Sequence, residues 1–287
     1  MKVSNIGLIG TKIKKLDEQF PVQDMLMQTG QIEQFASGVY AYGHIPFLVK
    51  KNINDIIIET LTKCGCSLIN LPILQPENIW VSSGRLDRYV SEDVMFRCLT
   101  DKGNFCLAPT AEEAVVEFAK SRLTSYKNLP TTFFQIGEKF RNEIRTRGYL
   151  FRPRTFVMMD AYSFDKNEED MHKTFNKMHD VYINIFKRLG INVISVISDG
   201  GTMGGRVSEE FQAPTSLGED IILYDKEKKI GINKEVLSFE DKETFINQLD
   251  NLKLEDLIEV NSVELGNNFE LGTKYSESMK LFYQDEC

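Results

Sequence analysis

The chain has 287 residues, enough for one large domain or two modest ones around a real core. Hydrophobic residues make up 42% and charged residues 26%, which excludes a disordered or fibrous chain. Acidic residues outnumber basic ones 42 to 34, and the formal charge of −8 excludes a basic nucleic-acid coat but leaves room for a local basic patch.

Apolar residues recur at helical spacing over 47–63 (Leu48, Val49, Ile53, Ile56, Ile57, Leu61), and Gly65 supplies a stop. A short strand is predicted over 67–71, closed by Pro72, which cannot donate to a ladder. A second strand over 104–108 leads into Pro109-Thr110-Ala111-Glu112-Glu113 and a helical run to Phe118. Thr110 with Glu113 has the spacing of a capping box, which by itself signals no more than a helix start. Strands are predicted over 132–136 and 155–159, separated by an arginine-rich loop.

Asn167 opens a long amphipathic helix whose face carries Met171, Phe175, Met178, Tyr182, Ile185, Phe186 and Leu189, with Gly190 at its end. A β-branched strand over 191–197, a Gly-rich turn over 199–205, and apolar segments near 221–224 and 263–265 complete the pattern. The order predicts an α+β fold with a largely antiparallel sheet flanked by helices. The Lys/Glu-rich stretch 225–262 reads as an insertion or a small helical appendage.

No apolar run approaches the roughly 18 residues of a membrane span, and the opening stretch, broken by Asn5 and Gly7, has no secretory pattern. The five cysteines (Cys64, Cys66, Cys98, Cys106, Cys287) are odd in number and lack paired zinc spacing, which predicts reduced thiols and a cytoplasmic protein. His172 and His179 lie seven apart on one helix and His44 in a loop, so no metal site is expected from them. Asp165 and Asp199 could meet a magnesium ion, but nothing in their spacing singles them out.

The densest chemistry lies between the two central strands. Arg141, Arg145, Arg147, Arg152 and Arg154 put five arginines in fourteen positions, a crowding that self-repels unless anions or carboxylates sit among them. The bland reading is a solvated hairpin tip. Against it, apolar strands flank the run and aromatics interleave it (Phe140, Tyr149, Phe151, Phe156), which suits an anion-binding loop that also stacks a purine.

From Phe140-Arg141-Asn142-Glu143-Ile144-Arg145 to Asp160-Ala161-Tyr162-Ser163-Phe164-Asp165, the chain resembles motif 2 of class II aminoacyl-tRNA synthetases, more narrowly the bacterial-type prolyl-tRNA synthetases. Ala36-Ser37-Gly38-Val39-Tyr40 resembles the N-terminal signature of that family. Leu71-Pro72-Ile73-Leu74-Gln75-Pro76, with Trp80 and Ser83-Gly84-Arg85, resembles its motif 1 region. Pro109-Thr110-Ala111-Glu112-Glu113 resembles its Thr-x-Glu loop. Gly204-Gly205, Ser208-Glu209-Glu210-Phe211-Gln212 and 269–277 match later segments.

The resemblance implies ATP-dependent amino-acid activation with Mg2+ and transfer to a tRNA acceptor stem, by a homodimer formed through 47–76, with proline as the amino acid. It places Arg141 on the α-phosphate and the amino-acid carboxylate, Glu143 and Phe156 on adenine, and Thr110 and Glu112 on the substrate ammonium. Glu209, Gln212 and the Gly204-Gly205 turn are placed at the pocket. Phe156 reads equally well as a core strand residue, Thr110 as a cap and the two glycines as a tight turn.

The chain departs from the family pattern at several points. Glu209 and Ala111 replace histidines, while Thr155 and Met159 replace a glutamate and a lysine. Motif 3 and the anticodon-binding domain would follow residue 287, so the expected fold is incomplete at its C-terminal end. The expected division is a catalytic core (1–224 and 263–287) with 225–262 standing in for an editing domain. A non-catalytic relative binding an amino acid or a partner, or one that aminoacylates a carrier protein or small molecule, are the alternatives.

Overall fold

A computed structural model describes residues 14–201, 208–249 and 252–285, which form two compact units, Met1–Tyr162 with Tyr275–Cys287, and Ser163–Lys274. The Gly204-Gly205 turn and Cys287 lie outside the described residues.

The first unit opens with α1 (Pro21–Gln28), which has proline in its first turn, where no N–H is required. An antiparallel hairpin of β1 (Ile32–Ala36) and β2 (Val39–Tyr42) follows, turning at Ser37 and Gly38. Helix α2 (His44–Lys63) starts three residues before its periodic run and caps at Cys64 ahead of left-handed Gly65. Of its residues only Thr60 and Leu61 are buried, while Phe47, Leu48, Val49 and Ile53 stay exposed. The strand predicted over 67–71 shrinks to β3 (Ser67–Leu68), which pairs in parallel with Phe133 and Phe134. Its extension runs only through Ile69, whose N–H reaches the Phe134 carbonyl.

Next come β4 (Leu74–Pro76), α3 (Glu77–Ser83) and α4 (Leu86–Ser91), then β5 (Arg97–Thr100) and β6 (Gly103–Leu107). Strands β4, β6 and β5 form an antiparallel three-stranded sheet. Helix α5 (Glu112–Lys120) then leads to β7 (Thr131–Phe140) and β8 (Thr155–Phe164), which neighbour each other in the sheet β3-β7-β8. Trp80 is fully buried and donates its Nε1–H to Gln75 Oε1 at 2.9 Å, so the largest side chain near the site leaves no polar orphan.

The second unit begins with α6 (Glu168–Leu189). Asn167 Oδ1 accepts from the Asp170 N–H at 2.9 Å and Gly190 ends the helix in the left-handed region, as its capping residues predict. Strands β9 (Ile194–Ser198), β10 (Ser208–Pro214), β11 (Asp220–Asp225), β12 (Ile230–Asn233) and β13 (Ile258–Phe269) close into a barrel ordered β10-β13-β11-β12-β9. All of its pairings are antiparallel except β12 with β9. Tyr182 and Phe186 of α6 pack on Phe211, with the Tyr182 and Phe211 rings 4.8 Å apart.

Residues 225–262 are therefore not a helical appendage. They supply β12 and the first part of β13, with, among the described residues, the short α7 (Glu243–Ile246) and 3-10 turns between. Ile232, Val236, Phe245 and Leu249 make a core there. Strands β12 and β13 are hydrogen-bonded to β9, β10 and β11, within the compact unit Ser163–Lys274.

A Cβ at Gly218 would stand 1.9 Å from the Ser262 carbonyl oxygen, which belongs to β13 backbone and cannot rotate away. Gly218→Ala is expected to destabilise the protein by at least the ~1–3 kcal/mol of ordinary overpacking, read from the urea unfolding midpoint.

Candidate active site

The site in the first unit is built around carboxylates at the start of α5. Glu112 and Glu113 occupy the first turn of that helix, where its dipole favours negative charge. Ala111 is the N-cap residue and no side chain caps the helix, so the Thr110/Glu113 capping box does not form. The Thr110 hydroxyl instead approaches both oxygens of the Glu112 carboxylate, at 2.8 and 2.6 Å. Tyr162 of β8 donates to Glu112 Oε1 at 3.2 Å.

Both carboxylates are buried and converge on one guanidinium. Arg85 Nη1 lies 3.0 Å from Glu112 Oε2 and 3.1 Å from Glu113 Oε1, and Ser83 Oγ donates to Glu113 at 2.7 Å. The Arg85 guanidinium sits over the rings of Trp80, Tyr89 and Tyr275, 4.7–5.3 Å from their centroids, and also bonds the Tyr89 hydroxyl. A second buried pair stands close by, with Lys139 Nζ 2.8 Å from Asp160 Oδ2, which also accepts from Gln135 Nε2. Asp160 Oδ1 is buried without a hydrogen-bond partner.

Two buried cations thus face three buried carboxylates. Burial pushes the Glu113 carboxyl up, against the pull of Arg85, and pushes Asp160 up against Lys139. Burial also drives the Tyr162 phenol well above its ordinary range, with Glu112 adding to it. Tyr162 is therefore a firm proton donor. The cluster as a whole is short of positive charge, which is the electrostatic condition for binding an ammonium group.

Arg141 stands at the edge of this cluster. Its Nε donates to the Pro109 carbonyl at 3.2 Å, immediately before the Thr110-Ala111-Glu112 bend. Its guanidinium carbon lies 5.3 Å from the centroid of the Phe156 ring, and the side chain is half-buried. No described residue accepts from its Nη groups. Thr110, Glu112, Arg141 and Phe156 are therefore together.

Glu143 lies in the loop between β7 and β8. Its Oε2 meets Arg152 Nε at 2.8 Å and its Oε1 accepts the Arg145 N–H at 3.2 Å. Desolvation works to raise its pKa, but these hydrogen bonds outweigh that and hold the carboxyl below its usual range. Phe156 presents a ring already stacked with a guanidinium rather than a core contact alone.

Glu209 and Gln212 lie on β10, in the second unit. Glu209 Oε1 accepts from Ser195 Oγ at 2.5 Å and pairs with His179 Nδ1, while its Oε2 is buried without a partner. Gln212 is fully buried, with Nε2 shared between Glu210 and Asp220 at 2.9 and 3.0 Å and Oε1 unpartnered. Among the described residues no group of three or more His, Cys, Asp or Glu could hold a metal ion.

Sequence reasoning did not assign roles to Arg85, Tyr89, Tyr162 or Tyr275. The available signal was two adjacent carboxylates on an apolar helix, a pattern that demands a cation from elsewhere in the chain.

This site stands in a recognisable fold. Residues 96–286 match the family described as tRNA synthetase class II core domain (G, H, P, S and T). The chain belongs to that family. Its relatives there include the proline–tRNA ligase of Rickettsia bellii (strain OSU 85-389), 36% identical over 277 residues, covering 94% of this chain and 64% of the relative. The proline–tRNA ligase of Rickettsia rickettsii (strain Sheila Smith) is 34% identical over 295 residues, covering all of this chain and 69% of the relative.

The chain thus spans about two thirds of the length of these relatives. Among solved structures, Giardia lamblia prolyl-tRNA synthetase in complex with prolyl-adenylate superposes with a TM-score of 0.69 at 17% identity, covering 94% of this chain and 46% of that one. Prolyl-tRNA synthetase from Cryptosporidium parvum, complexed with halofuginone and AMPPNP, gives 0.69 at 13% identity, covering 100% and 50%. At these identities the likeness is one of fold. No helix among the described residues is long and apolar enough to cross a membrane.

Replacing Arg85 with methionine leaves two carboxylates buried without their cation. A loss of ~3–5 kcal/mol is expected, measured by urea unfolding, with Glu113→Gln restoring part of it.

The hydrogen bond with Glu209 raises the His179 pKa, against the opposing effect of burial. A raised folded value means the pair's stabilisation is complete below the unfolded histidine value near ~6.5 and fades as pH climbs through the folded one. The melting-temperature gap between wild type and Glu209→Gln is therefore expected to be widest at acidic pH and to narrow toward alkaline pH.

Proposed function

We propose that this chain is the catalytic core of an aminoacyl-tRNA ligase of the prolyl type, activating an amino acid with ATP and passing it to the 3′ end of a tRNA. The observation that carries this reading is Arg141, a half-buried guanidinium with unspent Nη donors, held against Pro109 at the rim of an over-acidic pocket. A fork of that kind suits a phosphate and a carboxylate at once. The relatives named proline–tRNA ligase, and solved structures titled with prolyl-adenylate and with AMPPNP, support the same chemistry.

In this reading the substrate ammonium sits on Glu112 and Thr110 and supplies the positive charge that the buried cluster lacks. Its carboxylate is already ionised near neutral pH and needs no general base. A carboxylate oxygen attacks the α-phosphorus of ATP, the bond to the β-phosphate oxygen breaks, and pyrophosphate leaves. Arg141 neutralises charge at the α-phosphate and aligns the carboxylate, so catalysis rests on positioning and electrostatics. Phe156 offers its ring to adenine and Glu143 accepts from the adenine amino group. Mg2+ enters as the ion ATP carries, held largely by phosphate oxygens and water.

The roles of Glu209 and Gln212 at the pocket rest on the resemblance of their segment to the family. Proline is the expected substrate, and Ala111 and Glu209 are the positions at which specificity is open to change. The exposed Phe47, Leu48, Val49 and Ile53 of α2 support a homodimer through 47–76. Reduced cysteines support a cytoplasmic setting.

ATP–pyrophosphate exchange measured across the amino acids tests the reading. Exchange with proline that falls by ~10² or more in Arg141→Ala is expected. Absence of exchange with every amino acid would reject it for this chain.

A further inference from the structure

The arginine loop 141–154 is held in place by a part of the chain far from it in sequence. The turn between β1 and β2 presents the Gly38 carbonyl to the Arg154 N–H at 2.8 Å, with the Thr155 N–H at 3.4 Å from the same oxygen. The Arg154 carbonyl in turn accepts the Arg141 N–H at 3.0 Å. Two hydrogen bonds through one residue therefore connect the hairpin turn to the backbone of Arg141. Beside them, Ser37 Oγ and Thr146 Oγ1 are 2.7 Å apart.

Gly38 fits this contact for two independent reasons. Its φ of +74° lies in the left-handed region. A Cβ there would also meet Thr146 Cγ2 at 2.6 Å and the Arg154 nitrogen at 2.8 Å. The far end of the loop has its own anchor. Phe20 is buried, its ring centroid 6.1 Å from that of Tyr149 and 5.7 Å from that of Phe151, and a Cβ at Gly148 would stand 2.9 Å from it.

Five guanidinium groups in one loop favour a splayed conformation. Inside the loop only Glu143 offers a carboxylate, which Arg152 takes, while its main-chain carbonyl accepts from Arg154 Nε at 3.1 Å. External contacts are what fix the loop against that repulsion.

We infer that the Ser37–Gly38 turn is a latch for the arginine loop, and that Gly38 is a positioning residue that sets Arg141 for a nucleotide triphosphate. The nucleotide half of this inference rests on the function proposed above. The latch half does not. The Thr110–Glu112 cluster is held separately by Arg85, so opening the latch weakens nucleotide binding more than amino-acid binding, which loses only the Arg141 contact to the carboxylate.

The test compares wild type, Gly38→Ala and the milder Ser37→Ala and Thr146→Ala, singly and combined, using ATP·Mg2+ and proline titrations by calorimetry, trypsin cleavage after Arg145 and Arg147, and melting temperature. Gly38→Ala is expected to weaken ATP binding about tenfold or more, weaken proline binding by a clearly smaller factor, and speed cleavage in the loop. Ser37→Ala and Thr146→Ala are each expected to speed cleavage modestly, with the double variant no faster than either alone.

Unchanged ATP affinity in a normally melting Gly38→Ala protein would overturn the inference. So would a parallel loss of ATP and proline binding with a lowered melting temperature, which marks a merely structural glycine. If wild type binds neither ligand, the proposed function fails, and the cleavage comparison alone decides the latch, with equal cleavage rates rejecting it.

Discussion

One guanidinium shared by two buried carboxylates organises the first unit. Arg85 reaches Glu112 and Glu113 at 3.0 and 3.1 Å from inside a cage of three aromatic rings. Attraction between charges about 4 Å apart is worth ~4 kcal/mol at an effective dielectric of 20. Removing each ion from water costs several kcal/mol, so the arrangement gains little net stability and instead dictates geometry. It brings α3, α4, the start of α5, Tyr162 of β8 and Tyr275 together at one point, because a packing without them strands a charge.

The same deficit gives the pocket its chemical character. With Lys139 already committed to Asp160, and Arg85 divided between two acids, positive charge is what the buried cluster still lacks. Burial holds the Glu113 and Asp160 carboxyls above their ordinary values, against the pull of Arg85 and Lys139. An ammonium group would supply the missing positive charge, and Arg141 at the edge of the cluster adds the opposite polarity.

The arginine loop solves a converse problem. Its like charges repel, and one internal carboxylate answers them: Arg152 and the Arg145 N–H each take one oxygen of Glu143. Hydrogen bonds from the β1–β2 turn and aromatic packing from Phe20 complete the restraint. A loop anchored this way keeps Arg141 and Arg154 half-buried, while Arg145, Arg147 and Arg152 remain exposed to water.

Local patterns in the chain determined α2, α5, α6 and the arginine-rich loop. The Asn167 cap, the 3.6-residue stripe of α6 and the Gly190 stop are all properties of neighbouring residues, as is the crowding of arginines between β7 and β8. Only tertiary structure decided the barrel and the carboxylate cluster. Strand β12 has four residues, too few to show a period, and the Lys/Glu-rich turns around it mask strands that are fixed by pairing with β9 and β11. Arg85 and Glu112 stand 27 positions apart, so nothing in either segment announces the other. They meet because a buried charge must find its partner wherever the folded chain brings one.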